Sequence, residues 1–418
     1  MDRIRGNDRL NNAERIRFQR ENLYSTLQLA LRKYPFYRNI SPDFSPEDAG
    51  RVLRDHFPVI DKYDLLNNPS ELYPNGGKVR PWYLAGKSSG TTGTPLVVYR
   101  SLESAVMEQA FIRRHWEWSG FCSTSSRVTL RGDMIVPPET KHPPFWYWNR
   151  LDRQLIVSSR HLREPFAESI IAEIRKLQPY ALEAYPSTAY SLAKILDDRD
   201  QTLAIPYLFS ASEPLYAHQI DLIKRRMGSA IMDMYGMAER VAFATGCEVG
   251  NMHLNSDYSF VEIVDDQGQP TTEEGFVVGT TFHNDVMPLV RYRLSDRTRI
   301  LPDPCACGRT FPLIAPATGK YEDAVFNKHG NPVSPSVLTF AFKGVENIAK
   351  SQVAQVGDGV WQIRIVPMSG YTKSDEEKLV KNIHRLVDAD VDLEVVIRDD
   401  IPNTSAGKFR WVVNETTR

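Results

Sequence analysis

The sequence predicts an α/β protein: a large, multi-layer N-terminal domain of mixed sheets and helices, followed by a small α+β C-terminal domain. Three observations carry this expectation. Between about residues 100 and 240, helical stretches alternate with short apolar runs, the pattern of a layered α/β body. From about residue 255, strand-like runs follow one another across turn signals such as Asp266-Gln267-Gly268, the pattern of an antiparallel module. After Gly319 a strand, helix and strand of their own appear, about the smallest set that forms an independent domain. The boundary falls at residues 317 to 322, dividing 1–318 from 319–418, and a chain of 418 residues accommodates two or three such domains.

Taken in order, Ile16, Leu23, Leu27, Leu31 and Tyr34 recur at helical spacing over residues 12 to 34, and Pro35 ends that helix. Phe57 to Lys62 reads as an extended piece turning into another helix. Trp82-Tyr83-Leu84-Ala85 and Leu96-Val97-Val98-Tyr99 are apolar runs flanking a polar octet, so they predict a hairpin with the octet at its tip. A helix over Leu102–Trp118 and a strand at Arg127–Leu130 follow. Phe145-Trp146-Tyr147-Trp148 sets four aromatic rings side by side, a density that fills a core or lines an apolar wall. Phe166, Ile170, Ile171, Ile174 and Leu177 mark another helix. Tyr185-Pro186-Ser187 opens the next one, with Ser187 expected as its N-cap. Leu203–Phe209 and Ala230–Met232 are expected strands running into polar loops, at strand ends where such bodies bind ligands. Ser259–Val264, Gly275–Phe282 and Leu289–Tyr292 are the antiparallel candidates. In the tail, Trp361, Ile363 and Ile365 alternate on a strand, Leu379, Val380, Ile383 and Leu386 face inward from a helix, and Leu393–Ile397 forms a strand.

Composition narrows the function. Lysine and arginine total 51 against 52 for aspartate and glutamate, a net charge of −1 that gives no generic attraction to nucleic acid or an acidic membrane. No apolar run reaches a membrane-spanning length, and no apolar leader core lies near Met1. The early arginines (Arg3, Arg5, Arg9, Arg15, Arg17, Arg20) are interrupted by Asp2, Asp8 and Glu14, which reads as a solvated helix face. Four cysteines in a chain of this length make no disulfide scaffold, so a cytoplasmic protein is expected, with Cys122 a buried thiol.

The octet Ser88-Ser89-Gly90-Thr91-Thr92-Gly93-Thr94-Pro95 carries the chemistry. Its first six positions hold four hydroxyls and two glycines. Glycine lets backbone N–H groups approach an anion, and the hydroxyls add short donors, so the loop suits a nucleotide di- or triphosphate. The G-x-x-x-x-G-K-[ST] phosphate loop is excluded, because Pro81 stands where its first glycine belongs.

With its companion motifs, the chain resembles the adenylate-forming superfamily of acyl-CoA synthetases and peptide-synthetase adenylation domains, most closely its phenylacetate-CoA ligase and CapK-like branch. Ser88 to Pro95 is similar to that family's phosphate loop, and Ser212-Glu213-Pro214 to the segment bordering the adenine. Tyr235-Gly236-Met237-Ala238-Glu239 resembles Y-G-x-[ST]-E, and Arg291 to Asp296 resembles Y-R-T-G-D. Gly319-Lys320-Tyr321-Glu322-Asp323 resembles the hinge, and Pro402 to Lys408 the closing P-x-x-x-x-G-K.

The resemblance implies an ATP- and Mg²⁺-dependent ligase that joins a carboxylate to an α-phosphate and then passes the acyl group on. Ser88, Ser89, Gly90, Thr91, Thr92, Gly93, Ser212, Glu213, Pro214, Asp233, Met234, Tyr235, Gly236, Met237, Ala238, Asp296 and Lys320 are then the nucleotide-binding candidates. Thr91, Glu239 and Lys408 are the catalytic ones. Glu239 would hold Mg²⁺ through hard carboxylate oxygen, Asp296 would accept the ribose hydroxyls, and Lys408 would steady the charge on both reacting anions. Glu322 would be the hinge about which a mobile small domain turns. Ala238 departs from the family in lacking a hydroxyl, and Lys320 replaces a forked arginine. Trp146, Tyr185, Pro186, Ser187 and Gly236 are the acid-pocket candidates.

Cys247, His253, Cys305 and Cys307 make a Cys₃His set suited to structural zinc, an arrangement similar to one in the phenylacetate-like branch. The partners implied are ATP and a small carboxylic acid, with coenzyme A, a carrier-protein thiol or an amine as acceptor, in a monomer or homodimer. An amide ligase, a non-catalytic nucleotide-binding homologue and a zinc hydrolase are the alternatives.

Overall fold

The computed structural model describes residues 2–40, 43–87, 96–131, 135–137, 140–163, 165–213, 215–317, 325–330, 332–333, 338, 341–342, 345, 347–387, 390–402 and 411–416. The chain divides into two compact units, Met1–Ser88 with Leu96–Ser212 and Leu222–Gly319, and Ser89–Pro95 with Glu213–Asp221 and Lys320–Arg418. The fold is a mixed α/β large part with a small α+β C-terminal part, as the sequence predicts.

The large unit begins with helices α1 (Asp2–Asn7) and α2 (Asn12–Lys33). Asn11 caps α2 by accepting from the Glu14 N–H at 3.0 Å, and Glu14 accepts in return from the Asn11 N–H at 2.9 Å. The inward face of α2 carries Leu23, Thr26, Leu27 and Ala30. Ile16, expected on that face, is 48% exposed. Arg15 takes the buried place instead, its guanidinium donating to Thr310 and Asn12, and the 100° turn per residue then swings Ile16 outward. Short helices α3 (Ala49–His56), α4 (Lys62–Asn67) and α5 (Pro69–Leu72) follow, α4 capped by Asp61. Together these elements close one core over the antiparallel strands described below.

The expected hairpin is present as β1 (Leu84–Lys87) and β2 (Val97–Arg100), paired antiparallel. Helix α6 (Leu102–Trp118) leads to β3 (Arg127–Leu130), β4 (Trp146–Asn149) and β5 (Gln154–Val157). Helix α7 (Ala167–Leu177), β6 (Ala181–Ala184), α8 (Pro186–Asp198), β7 (Tyr207–Ala211), α9 (Ala217–Met227) and β8 (Ala230–Gly236) come next. Ser187 is not the N-cap of α8. Tyr185 holds that position and Pro186 is the first helical residue, where its fixed φ fits and a missing N–H costs nothing. The strand expected over Leu203–Phe209 starts only at Tyr207, after Pro206. Leu203 and Ile205 are still buried, with their N–H groups on Arg226 and Met227 carbonyls.

Strands β9 (Phe243–Gly246) and β10 (Met252–Leu254) complete the approach to β11 (Ser259–Val264), β12 (Gly275–Thr281) and β13 (Tyr292–Thr298), which pair antiparallel in that order. The expected Leu289–Tyr292 strand is displaced. Arg291 has φ 48°, so the extended run can begin only after it. Strands β14 (Ile300–Leu301) and β15 (Leu313–Ile314) join the main sheet, whose ten strands run β14-β15-β10-β9-β8-β7-β6-β3-β5-β4. Strands β8, β7, β6, β3 and β5 are mutually parallel; the outer pairings are antiparallel. A second core fills the space between the parallel strands and α7 and α8.

One buried ion pair ties α6 to the segment before β11. Arg114 donates to Asp257 at 2.6 and 3.1 Å, and both side chains are 1% exposed. Asn7 of α1 also donates to Asp257, at 2.8 Å. The N-terminal arginines are not uniformly solvated either, since Arg15 is buried on α2.

The small unit holds β16 (Val325–Phe326), β17 (Pro332–Val333), β18 (Ile348–Gly357), β19 (Val360–Pro367), helix α10 (Lys373–Leu386), β20 (Asp392–Ile397) and β21 (Val412–Asn414). Its four-stranded sheet runs β20-β19-β18-β21. Trp361, Ile363 and Ile365 alternate into a core with Leu379 and Ile383. Leu386, expected inward, is 37% exposed at the end of α10, and Val387 packs on the core in its place. Among the described residues no helix is long and apolar enough to cross a membrane.

Candidate functional site

The parallel strands aim their carboxyl ends at one rim of the main sheet. Register makes the rim explicit: Trp146 pairs with Val157, Leu130 with Ala184, Ala184 with Ser210 and Ser210 with Asp233. The chain leaves β6 at Tyr185, β7 at Ser212 and β8 at Gly236, so all three expected ligand-binding segments open on this rim. Ser212 has φ 74°, a left-handed turn that reverses the chain at the strand end. Glu213 follows it and is buried.

The hydroxyl of Tyr235 donates to Asp296 Oδ2 at 2.7 Å, joining two motifs 61 residues apart. Burial, Asp296 and Glu239 together hold the phenol well above its ordinary range, so it stays a donor. The Tyr235 ring packs against Leu254 and Ile314. Arg293 pairs with Asp61 and Arg297 with Asp266 and Glu274. Glu239 is buried in the turn after β8, where its charge acts on Tyr235, Tyr292 and Arg100. The carbonyl of its neighbour Ala238 accepts from the Arg100 guanidinium.

Of the other motif residues, Gly236 is exposed, and a Cβ there would touch Phe243 at 3.4 Å. Met234 and Met237 are half-buried and pack against two separate cores. Asp233 accepts from Ser210 Oγ at 2.6 Å, and burial pushes its carboxyl up to about 6.

The acid-pocket candidates are spread along the rim. Trp146 lies on edge strand β4, five strand-to-strand steps from β8, about 24 Å at about 4.8 Å each. Tyr185 and Pro186 stand two steps from β8, at the end of β6. Arg131, which sequence reasoning missed, lies 5.2 Å over the Tyr185 ring and donates to Glu183 at 3.1 Å. Its one local signal was its place just past an apolar strand. The Ser187 side chain, Ser88, Ser89, Gly90, Thr91, Thr92, Gly93, Pro214, Lys320, Glu322 and Lys408 lie outside the described residues.

Cys247, His253, Cys305 and Cys307 come together, their ligand atoms all within 4.8 Å of one another. Cys247 Sγ lies 3.6 Å from Cys305 Sγ, and Cys307 Sγ 3.3 Å from His253 Nε2. A zinc ion bound at about 2.3 Å from sulfur and about 2.0 Å from nitrogen sets edges of about 3.5–3.8 Å in a tetrahedron, so shifts of about 1 Å or less would let the four donors close on one. His253 Nδ1 sits 3.3 Å from the Phe311 carbonyl, which leaves Nε2 to face the sulfurs. Asn251 Nδ2 donates to Cys305 Sγ at 3.2 Å. Four protein donors close the set, which suits a structural ion and not a hydrolytic one with an open position.

Cys122 corrects an expectation: it is exposed, not buried. Hydrogen bonds from Ser125 and Thr124 lower its thiol to about 7.

A family model described as the CapK C-terminal domain matches residues 325–415. Protein CapK of Staphylococcus aureus is 23% identical over 362 residues, covering 85% of this chain and 79% of that protein. The phenylacetate-coenzyme A ligase of Thermus thermophilus is 23% identical over 444 residues, covering 96% and 97%. That of Escherichia coli is 27% identical over 351 residues, covering 77% and 74%. Among solved structures, 2-hydroxyisobutyryl-CoA ligase in complex with 2-HIB-AMP and CoA superposes with a TM-score of 0.64 at 18% identity, covering 97% of this chain and 90% of the other. This last likeness establishes the fold.

Proposed function

We propose, for a chain that belongs to the CapK and phenylacetate-CoA ligase family within the adenylate-forming ligases, that it activates a carboxylic acid with ATP to an acyl-adenylate and transfers the acyl group to coenzyme A or another thiol. The observation that carries this reading is the Tyr235–Asp296 hydrogen bond. It brings the aromatic residue proposed for the adenine and the carboxylate proposed for the ribose to one place, beside buried Glu239. The similarity to phenylacetate-coenzyme A ligases supports a thiol acceptor.

In this reading Asp296 accepts from the ribose hydroxyls and Glu239 supplies hard oxygen to Mg²⁺. A bound Mg²⁺ ion would offset the phosphate charge that otherwise repels the incoming carboxylate. The hydroxyls of Ser88, Ser89, Thr91 and Thr92 donate to phosphate oxygens, and Lys408 steadies the anions that meet. Ser212, Glu213, Pro214, Asp233 and Gly236 border the base, and Lys320 and Glu322 belong to the hinge. The acid is met by Tyr185, Pro186 and Ser187 at the end of β6, with Trp146 more distant. Cys247, His253, Cys305 and Cys307 would hold zinc as a structural tie.

ATP–pyrophosphate exchange across aryl, fatty, hydroxy and amino acids tests the proposal. At least one class is expected to support exchange, and Lys408→Ala to lower it by about 100-fold or more with ATP binding nearly intact. Silence across the panel with folded, ATP-binding protein would favour a non-catalytic nucleotide-binding homologue, the reading that Ala238 supports.

A further inference from the structure

We infer that Arg100 is a binding residue for the polyphosphate end of the nucleotide, and that it also clamps the turn that carries Glu239 against the β1–β2 hairpin. The inference rests on the proposed nucleotide site and adds to it a cation that none of the motifs contains.

Arg100 is the last residue of β2, directly across from Leu84 on β1. Its side chain runs back over the hairpin. A methyl group added to Gly86 would run into the Arg100 guanidinium, so the glycine leaves the space that the guanidinium fills. From there the guanidinium donates to the Ala238 carbonyl, 138 residues along the chain and one residue before Glu239. The loop of residues 88 to 95 is the connection between β1 and β2. One side chain therefore ties the base of that loop to the acidic turn.

The charges around Arg100 fit this task. Glu239 and Glu108 face it as opposite charges, Arg240 as a like charge, and the Tyr258 phenol also bears on it. Arg240 is already engaged, with Glu108 at 3.4 Å and with the Ser104 carbonyl at 2.9 Å. Glu108 also accepts from Tyr258. Among the described residues the buried Nε–H of Arg100 has no acceptor. A buried guanidinium N–H is a strong donor, and a phosphate oxygen is the acceptor that matches it best. The planar fork lets one group hold a carbonyl and still present N–H elsewhere, which an ammonium cannot do with the same geometry.

The position also bears on Ala238. The motif it belongs to resembles one with a hydroxyl there, and a methyl offers no donor. Arg100 supplies an N–H to that residue's backbone and a positive charge beside it, so the turn keeps a cationic neighbour although the hydroxyl is gone.

The test separates the polyphosphate from the rest of the nucleotide. Calorimetric binding of Mg-ATP and of AMP is measured for the parent, Arg100→Met, Arg100→Lys and Gly86→Ala, with melting temperatures alongside. Arg100→Met is expected to weaken Mg-ATP by about tenfold or more while AMP changes less than about twofold, with Arg100→Lys between it and the parent. Gly86→Ala, which displaces the guanidinium without removing it, is expected to weaken Mg-ATP in the same selective way. Equal loss of both ligands would show a merely structural role, and no loss of either would show none; each overturns the inference. A parent that binds Mg-ATP but exchanges pyrophosphate with no acid would sink the proposed activity and leave this comparison decisive for Arg100.

Discussion

Asp233 shows how one residue can bear on both the fold and the proposed nucleotide site. It lies on β8 two residues before Tyr235, and burial lifts its carboxyl from an ordinary 3.8 to about 6, against the opposing pull of the Ser210 hydroxyl and the Met234 N–H. An acid whose folded value is raised holds its proton where the unfolded chain has lost it. Its contribution to stability is therefore complete below about pH 4 and declines as the pH climbs to about 6. Asp233→Asn keeps an acceptor for Ser210 but carries no charge to bury. The variant is expected to match the parent near pH 4 and to exceed it by up to about 3 kcal/mol above pH 7. Urea unfolding at both pH values measures this, and a difference that does not change with pH would refute it.

At the scale of elements, the Cys₃His set joins the loop after β9 and strand β10 to the loop after β14. Purified protein is expected to contain about one equivalent of zinc. Cys305→Ser should reduce this below about a tenth and lower the melting temperature by at least about 5 °C, because ion binding is part of the folding free energy. Zinc-free parent protein with an unchanged melting curve would remove the ion from the fold. These four donors were legible in the sequence because thiols and imidazole are rare and clustered. The hairpin, α6, β3 and β11 were legible for a different reason, since unbroken apolar periodicity leaves little choice of period. Element starts beside prolines and positive φ were not. Pro206 and Arg291 each delay a strand by several residues, a backbone effect that apolar runs do not report. Arg100 and Arg131 were hidden because an arginine ending a strand looks solvated until a distant segment folds over it. Tyr235 and Asp296 belong to separate motifs, and only the approach of the three-stranded sheet to the main sheet puts them 2.7 Å apart.

At the scale of the whole molecule, the C-terminal part has its own sheet and its own core, built on Trp361, Ile363, Leu379, Ile383 and Val412. Residues 320–418 made alone are expected to fold, with a cooperative thermal transition by circular dichroism and a buried Trp361 signal. Trp361→Ala should abolish that transition, since emptying a site this large costs about 3–5 kcal/mol. A fragment that melts without cooperativity would show that its core is not sufficient. The large unit has a different vulnerability in the Arg114–Asp257 pair, sealed at 1% exposure on both sides. Replacing Arg114 strands the Asp257 charge in a dry interior, at a penalty of about 3–5 kcal/mol, whereas exchanging both for well-fitted apolar groups can be neutral. Mutational drift at these two places is thus a joint affair: lineages that lose the arginine without the aspartate should be purged, and surviving descendants should carry either both or neither.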